Sequence, residues 1–589
     1  MRFFGDHAQD EDPRAVAEDV ARALRRAAHL PGGIERHAAV AAALVRAGEL
    51  AQGLGDAADA GACPPAAARE ALAEAGRIAR GLWRSFEAAG RARPPEARAV
   101  ALRGAPRTIR VRRPEGHALY AVYPEAFAVA GRALRGGRTT WIGVRSIGAG
   151  LAAMAAAGAG SRGELLSVRP GGGAFRRTLA PEAVRDAVAR ARGGRFAVVD
   201  EGPGLSGSTI AAVAEALLAA GVPAERIHLF TSHAGPPGPE APPRVRALFA
   251  RLARHAAPAD AGMLAPAALA GDLVGRVRAV AELGDGAWRG HVALPADAWP
   301  PSTGWMERRK VLLEDARGRR WLARFAGLGG EGERKLARAR ALHAAGVGLP
   351  PEGLRHGWLV EPWRADLVPL SAAGVSRAGV LDALVRLLGA SARRPPGPGA
   401  DPAALAEAAR ANAAEALGPA AGAAADRLEA FLPRLVDEAR AAEVDARLAA
   451  WKWLVGPDRR ILKCDGLDHH AGHELTGCQD LLWDVAGAEA ELGLSPREAL
   501  RLAEAARALA PGADPALLPF YRVCYHALEL GRWSFAAGAA PPGDERRRRE
   551  EARERHLRGL AARLAELGPA ARGRPRAGSA PVTGRPLPP

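Results

Sequence analysis

The stretch Phe196–Thr209 reads FAVVDEGPGLSGST, and it decides the fold class. Its first four residues are apolar, which predicts a buried strand of a parallel sheet. Asp200 and Glu201 follow this strand, and a loop of glycine and hydroxyl residues leads into a predicted helix over 210–220. Ligands of open α/β sheets bind at the carboxyl ends of strands, and loop amides at a helix N-terminus attract phosphate. The stretch therefore predicts an α/β domain with a sugar-phosphate site.

The same order of residues resembles the ribose-phosphate loop of the type I phosphoribosyltransferases: apolar strand, two acids, spacer, and a Thr/Ser-Gly-x-Thr turn. The resemblance implies that Asp200 and Glu201 are catalytic acids that bind the ribose hydroxyls of phosphoribosyl pyrophosphate (PRPP). It also implies that the 5-phosphate is wrapped by Gly204, Ser206, Gly207, Ser208 and Thr209. The chain departs from the family at Glu201, where an Asp is usual, and in the longer spacer GPGL. The alternative is a structural strand–loop–helix unit without a ligand.

Two segments upstream extend this resemblance. Residues 139–150, TTWIGVRSIGAG, predict a strand and a small-residue turn, which resembles the family's pyrophosphate loop. The binding residues that it implies are Arg145, Ser146 and Gly148, with Arg145 as a charge-assisted donor. Residues 165–177, LLSVRPGGGAFRR, predict a strand and a mobile loop that carries Arg169, Arg176 and Arg177. In the family a loop at this position closes over the substrate and excludes water, and Arg169 is the substrate-binding residue implied here.

A second group of features lies between about 300 and 535. Residues 310–314 and 320–325 predict a strand hairpin, a helix follows from Glu333, and WLVEPW at 358–363 predicts a short strand. This order resembles the aminoglycoside phosphotransferases, small-molecule kinases that share the protein-kinase fold. The resemblance implies an ATP site in which Arg324 stands where the family has Lys and Glu333 is its helix partner. The strand that contains Glu361 would be the hinge that contacts adenine.

The acids of this half follow the same resemblance. Asp445 matches the catalytic-loop acid, which positions the attacking hydroxyl and accepts its proton. Asp465, after the predicted strand RRILKC, and Asp468 are the residues implied to bind Mg²⁺, and Asp484 matches a structural acid. The family's Asn is replaced by Ala450, and no His precedes Asp445. In an alternative register, Asp465 is the catalytic acid and His470 takes the Asn position.

Histidine and cysteine side chains crowd the same stretch: Cys464, His469, His470, His473 and Cys478. Zinc prefers such ligands in tetrahedral sets, but this spacing matches no structural zinc module. Three interpretations stay open, namely a zinc site, a phosphate or magnesium position, and plain structural histidines.

Composition limits the remaining function classes. The 589 residues carry a formal charge of +17, arginine is dispersed, and lysine is scarce. Because no basic stripe alternates with aromatics, we do not expect a nucleic-acid partner. No signal peptide or membrane span is predicted, and few cysteines indicate a reducing compartment, so the expected location is the cytoplasm with no membrane partner.

The predicted organisation is mixed, α/β and α+β, over several domains. It comprises a helical N-terminal or hood region (1–100), a parallel-sheet phosphoribosyltransferase-like domain (101–235), a linker and helical connection (236–300), a two-lobed kinase-like domain (301–540), and a charged helix with a disordered tail (541–589). The predicted function is PRPP-dependent phosphoribosyl transfer to or from a base-like small molecule, fused to a nucleotide-binding phosphotransfer domain. Mg²⁺ and ATP are the expected cofactors, PRPP and a small acceptor are the expected ligands, and pairing into a homodimer is typical of the type I family. The alternatives are an inactive nucleotide-sensing regulator and an RNA-associated protein.

Overall fold

The computed structural model describes residues 1–5, 8–161, 163–173, 175–258, 260 and 262–567. The chain divides into two compact units. The first, here called the sheet unit, consists of Phe4–Gly399 and Ala442–Cys478. The second, the helical unit, consists of Met1–Phe3, Ala400–Ala441 and the chain from Gln479 onward. The predicted disordered tail from 568 lies outside the described residues, and the other predicted domain boundaries stay a prediction.

Every strand in the described part of the chain belongs to the sheet unit. The strands are β1 (Gln9–Glu11), β2 (Ile109–Val111), β3 (Thr139–Val144), β4 (Leu165–Val168), β5 (Arg195–Val199), β6 (Ile227–Thr231), β7 (Ala253–Ala256), β8 (Val277–Glu282), β9 (Lys310–Asp315), β10 (Arg320–Phe325), β11 (Gly353–Arg355), β12 (Trp358–Pro362), β13 (Val368–Pro369), β14 (Trp453–Val455) and β15 (Ile461–Lys463). The helices of this unit are α1 (Pro13–His29), α2 (Ile34–Asp59), α3 (Pro65–Glu87), α4 (Glu115–Leu119), α5 (Pro124–Gly131), α6 (Gly148–Gly158), α7 (Glu182–Ala191), α8 (Ser208–Ala219), α9 (Pro243–Arg251), α10 (Pro266–Val274), α11 (Gly330–Ala344) and α12 (Arg377–Ala392).

The predicted parallel sheet is confirmed. It has five strands in the order β4-β3-β5-β6-β7, and all neighbouring strands run parallel. All six residues of β3 are buried, as expected for a strand covered on both faces. The chain goes outward from β3 to β4 and then returns on the other side of β3 as β5. The carboxyl ends of β3 and β5 therefore adjoin at the point where the strand order reverses, which is the usual ligand position in open α/β sheets.

Two antiparallel sheets complete the β-structure described here. One has five strands in the order β11-β12-β10-β9-β8, and the other has three in the order β13-β14-β15. The predicted hairpin is β9–β10, in which Arg324 lies opposite Lys310. On its other side β10 pairs with β12, so that Arg324 lies opposite Leu359 and next to the strand that carries Glu361.

The parallel sheet and the five-stranded antiparallel sheet share one hydrophobic core. Phe127 and Trp141 from the first region belong to the same buried cluster as Phe325 and Trp358 from the second. A buried polar contact joins the same regions, because the Nε2 atoms of His37 and His356 lie 2.8 and 3.1 Å from Oε1 of Glu125.

The helical unit is formed by α13 (Pro402–Leu417), α14 (Pro419–Ala425), α15 (Leu432–Glu438), α16 (Leu482–Leu492), α17 (Pro496–Leu509), α18 (Leu518–Gly538) and α19 (Asp544–Glu566). Asp484, the predicted structural acid, is buried near the start of α16. Trp483 of α16 packs against Tyr525 of α18, with ring centroids 5.5 Å apart. No helix in the described residues combines the length and the apolar character that a membrane crossing requires.

Close backbone packing at the end of β3 generates a stability prediction. A Cβ at Gly143 would lie 2.4 Å from the carbonyl oxygen of Gly148, whereas a Cβ at Gly150 would meet nothing within 4 Å. Gly143→Ala should therefore force the strand and α6 apart and cost about 2 kcal/mol, which lowers the melting temperature by several degrees. Gly150→Ala is the matched control, and it should be neutral or slightly stabilising because alanine favours the helix. Equal melting temperatures for the two variants would contradict this packing.

Candidate functional site

Two adjacent acids mark the first candidate site, at the carboxyl end of β5. The Asp200 carboxylate accepts a hydrogen bond from the amide of Glu201, and Oε2 of Glu201 accepts one from the amide of Gly116 at 2.8 Å. Burial raises the pKa of Asp200 to about 7. Burial, together with the neighbouring charge of Asp200, raises the pKa of Glu201 to about 8. These acids therefore exchange protons near neutral pH, as groups at binding and catalytic sites often do.

The predicted phosphate loop joins the acids to α8. Gly204 and Gly207 adopt left-handed backbone conformations, with φ of +57° and +65°. The Ser206 hydroxyl donates to the Ser208 hydroxyl at 2.9 Å, and the Ser208 amide donates back to Ser206 at 3.3 Å. Thr209 follows in the first turn of α8, which has twelve residues. The loop thus brings hydroxyl groups and helix N-terminal amides to one place, beside the acids.

The arginines of the two neighbouring loops are bound within the protein. Arg145 Nη1 lies 2.9 Å from an Asp56 oxygen and 2.7 Å from an Asp59 oxygen. Arg169 holds both oxygens of Asp56, at 2.5 and 2.7 Å. Asp56, on α2, was not predicted, and its only signal in the sequence is the pair of acids three residues apart in GDAAD. In this structure both arginines point to α2, so a ligand phosphate would have to compete with Asp56 for them.

Ser146 and Gly148 lie where β3 passes into α6. Ser146 lines a cavity of about 10 Å³ together with Gln52 of α2 and Gly150. A Cβ at Gly148 would lie 2.6 Å from the carbonyl oxygen of Val199 at the end of β5, so glycine permits the two strand ends to approach. In the loop after β4, Arg177 donates to the carbonyl of Gly172 at 2.6 Å, while the closure of this loop stays a prediction.

The second candidate site brings Asp445, Asp465 and Asp468 together with basic side chains. Lys463 Nζ lies 3.1 Å from an Asp445 oxygen, and His469 Nδ1 lies 3.3 Å from the other. The Oδ2 atom of Asp468 lies 2.6 Å from Arg308 Nε and 3.4 Å from Lys335 Nζ. The three acids are thus neutralised by protein cations.

Asp465 is the most heavily contacted acid of the three. Its Oδ2 atom lies 2.8 Å from Lys452 Nζ and 3.7 Å from Lys310 Nζ. Its Oδ1 atom lies 3.2 Å from Arg324 Nη1. Burial alone would raise the pKa of Asp465, but the facing ammonium groups outweigh it and hold the pKa well below the ordinary value. Asp465 therefore stays ionised.

The partner predicted for Arg324 requires a correction. Arg324 donates to Glu361 at 3.1 Å and to Asp465 at 3.2 Å. Glu333 instead lies on the outer face of α11 and pairs with Arg26. Residues two positions apart face different sides of a helix, and it is Lys335 that α11 turns toward the acids. The helix therefore delivers a cation to the site, where the resemblance implied an acid.

Mg²⁺ does not fit the side chains as they are arranged. Ligand atoms of Asp465, Asp468 and His469 are close enough to share an ion. Magnesium needs near-octahedral oxygen ligation with room for water. Here the Asp465 oxygens face Lys452, Lys310 and Arg324, and Ala450 supplies no ligand at the family's Asn position. The arrangement of Asp465 and Asp468 therefore does not support the metal roles predicted for them.

The two cysteines do not join the histidines. Among the described residues, the potential metal-sharing groups are His37–Glu125–His356, Asp465–Asp468–His469 and Glu491–Glu529–His556, and none includes a cysteine. The Cys478 sulfur accepts a hydrogen bond from the amide of Gly397. His473 stacks on Phe4 with centroids 5.5 Å apart. The contacts of His469 with Asp445 and Lys452 favour the second of the three interpretations, in which a histidine lies among the charged groups of a phosphate or magnesium position.

A small cavity lies beside Arg324 and Glu361. Its volume is about 30 Å³, and Leu342, Leu454 and Leu462 form its apolar wall. Such a space holds about one water molecule. A purine base does not fit there without movement of the wall, so the hinge role predicted for Glu361 stays a prediction.

Some solved structures of small-molecule kinases are similar to this chain at low sequence identity. No protein-family model and no curated protein matches this chain. Among solved structures, the chain is similar to choline kinase LicA from Streptococcus pneumoniae, with a TM-score of 0.32, 13% identity, and coverage of 50% of this chain and 96% of that chain. It is also similar to an ethanolamine kinase from Plasmodium vivax, with a TM-score of 0.29, 11% identity, and coverage of 46% and 83%. A thermostable mutant of an aminoglycoside phosphotransferase gives a TM-score of 0.30, 12% identity, and coverage of 51% and 98%. All three TM-scores lie below 0.5, and all three identities lie below 25%.

The raised pKa of Asp200 predicts a pH-dependent effect of Asp200→Asn. The folded protein keeps this proton up to about pH 7, whereas an unperturbed Asp releases it near 3.8. Between these values the folded state binds more protons than the unfolded state, so the Asp200 contribution to stability falls as pH rises. The stability of the variant relative to wild type should therefore rise by at least about 1 kcal/mol from pH 5 to pH 8. Thermal unfolding of both proteins at the two pH values measures this change. Glu225→Gln, at an exposed acid before β6, is the control; an equal gain there, or none in Asp200→Asn, contradicts the assignment.

Proposed function

We propose that the sheet unit binds a polyphosphate ligand such as ATP at the cation–carboxylate cluster. This cluster is defined by Asp445, Asp465 and Asp468 with Arg308, Lys310, Arg324, Lys335, Lys452 and Lys463. The observation that carries the proposal is the convergence of these cations on acids that stay ionised although they are largely buried. Cations held in a site with few water contacts bind phosphate oxygens more strongly than exposed cations do.

A kinase-like role for this site has support in the positions of the acids along the chain. Asp445 precedes the β14–β15 hairpin, and Asp465 follows it directly. An ionised carboxylate such as Asp445 is suited to orient an attacking hydroxyl group. Ala450 and the poor fit for Mg²⁺ favour binding of the nucleotide over rapid transfer. Release of ADP from ATP, followed over hours, separates a transferase from a protein that only binds the nucleotide.

Arg324 provides the test of this proposal. Arg324→Gln removes a buried guanidinium that faces Asp465 and Glu361, and we expect it to weaken ATP binding about tenfold or more, since a charge-assisted contact is lost. Isothermal titration calorimetry of the full chain measures this change. Arg317→Gln, at an exposed turn between β9 and β10, should bind ATP as wild type does. An unchanged affinity in Arg324→Gln would sink the proposed location of the ligand.

A second candidate function, PRPP-dependent phosphoribosyl transfer, is favoured by a separate observation. The loops after β3 and β5 adjoin where the strand order reverses. They carry the residues that the resemblance to the type I family assigns to pyrophosphate and ribose 5-phosphate. The acids Asp200 and Glu201 would hold the ribose hydroxyls. Breaking the contacts of Asp56 with Arg145 and Arg169, and that of Asp59 with Arg145, would release both guanidinium groups toward the pyrophosphate.

PRPP binding tests the second candidate. Thr209→Val keeps the shape of the side chain but removes its hydroxyl, so it should weaken PRPP binding about fivefold to tenfold through a lost hydrogen bond. The double variant Asp200→Asn/Glu201→Gln removes the carboxylates that would hold the ribose hydroxyls. The contribution of these hydroxyls to PRPP binding should therefore be lost. Ser371→Ala, at an exposed serine outside the loop, serves as the control. Calorimetry that detects no PRPP binding to wild type would remove this function, whatever the ATP experiment shows.

Several parts of the predicted function stay predictions. They are the base-like acceptor, the phosphate acceptor, the homodimer and the cytoplasmic location. A regulator that binds both ligands and turns over neither is the alternative, and release of pyrophosphate and of ADP distinguishes it from an enzyme.

A further inference from the structure

The distribution of lysine in this chain is highly uneven. Of 82 basic residues only four are lysine, namely Lys310, Lys335, Lys452 and Lys463. The other 78 are arginine. In such a chain arginine satisfies nearly every need for positive charge. A lysine therefore indicates a position where the shape of the cation matters.

All four lysines pair with the same three acids. Lys310 and Lys452 face Asp465, Lys335 faces Asp468, and Lys463 faces Asp445. They come from four different places: β9, α11, the turn before β14, and β15. Their side chains expose only 11%, 5%, 16% and 0% of their surface for Lys310, Lys335, Lys452 and Lys463 respectively. The chain thus uses every ε-amino group that it has in one largely buried cluster.

An ammonium group differs from a guanidinium in a way that matters here. It is a compact point charge with three rotatable donors, whereas guanidinium is a flat fork with a fixed geometry. A compact cation between oxygens is also what a divalent metal provides. Lys452 Nζ lies 2.8 Å from Asp465 Oδ2 and 3.1 Å from His469 Nε2. It therefore stands between two of the groups that could otherwise share a metal ion.

The charges and donors of the cluster indicate an anionic ligand. Six cations, namely Arg308, Lys310, Arg324, Lys335, Lys452 and Lys463, face four carboxylates, namely Asp445, Asp465, Asp468 and Glu361. In addition, Nε of Arg324 is buried and has no hydrogen-bond partner among the described residues. A buried donor without a partner is costly, and a phosphate oxygen would satisfy it.

We infer that the four-lysine cluster binds a phosphate-bearing ligand without a divalent metal ion, with the Lys452 ammonium in the place at Asp465 that a metal would take. This inference rests on the proposed polyphosphate site and adds the means of binding. Ligand phosphate and the Asp465 carboxylate compete for the same three cations, Lys310, Arg324 and Lys452. The base of a nucleotide contributes little, because the adjoining cavity is too small for it.

Calorimetry of the full chain tests the inference with two probes, ATP and inorganic tripolyphosphate. Each is titrated in buffer with Mg²⁺ and in buffer with EDTA. We expect both probes to bind. Their dissociation constants in EDTA should be at most about three times those in Mg²⁺, a difference of ~0.7 kcal/mol in binding free energy. Lys452→Met should weaken binding about tenfold in EDTA. Lys452→Arg should recover part of it, since the charge returns in a different shape. Arg317→Met is the control that removes an exposed charge elsewhere.

Asp465→Asn gives the sharpest contrast with a metal-dependent site. Removing this carboxylate frees three cations for the ligand, so the variant should bind tripolyphosphate severalfold more tightly than wild type in EDTA. A site that works through a metal on Asp465 would lose binding instead. The comparison of the two buffers uses wild-type protein alone. It can therefore contradict the inference even if a variant folds poorly.

The outcomes separate this inference from the function on which it rests. Binding that appears only with Mg²⁺ overturns the metal-free mode but leaves a nucleotide site in place. An absence of binding in both buffers overturns the inference and the proposed polyphosphate site together. Tighter binding of Asp465→Asn in EDTA, with loss in Lys452→Met, supports both.

Discussion

Neutralisation of buried carboxylates is the constraint on which this structure depends most. Asp445, Asp465 and Asp468 lie within a short segment, and burying such charges without partners would cost several kcal/mol each. Their compensation is delivered by elements distant in sequence, because β9, β10, α11 and β15 each supply a cation. The antiparallel sheet, the helix and the β14–β15 pair therefore have to meet at this point. A shift of any one of them would leave a charge without its partner.

The two candidate sites belong to one compact unit, and a single short helix touches both. The amide of Gly116 in α4 binds Glu201 of the parallel-sheet site, and the carbonyl of Ala118 accepts from Lys335 of the cluster at 3.2 Å. The segment that follows this helix is fixed by the shared core, to which Tyr123 and Phe127 belong, and by the contact of Glu125 with His37 and His356. Any free-energy coupling between ligands of the two sites would be reciprocal, so each would change the affinity of the other equally.

Local features of the fold were predictable from the sequence, and long-range pairings were not. The apolar runs at β3 and β5, the loop before α8 and the β9–β10 hairpin all follow from short patterns in which neighbouring residues agree. The partner of Arg324 depended on the rotation of α11 and on the contact of β10 with β12, so the choice of Glu333 failed. The role of Asp56 depended on how α2 packs over the strand ends. The meeting of the four lysines required the whole topology, since they span more than 150 positions of the chain.

The scarcity of lysine gives this protein an unusual chemical property. Its ε-amino groups are confined to one cluster, because its 589 residues contain no other lysine. Reagents that acylate amines but spare guanidinium groups would therefore modify little outside that cluster. The extent of labelling at each lysine would therefore measure how accessible the cluster is to solvent. Protection by an added anion would show which lysines the anion covers, without any substitution. Acetylation of a lysine in this cluster would remove positive charge that keeps Asp465 and its neighbours ionised.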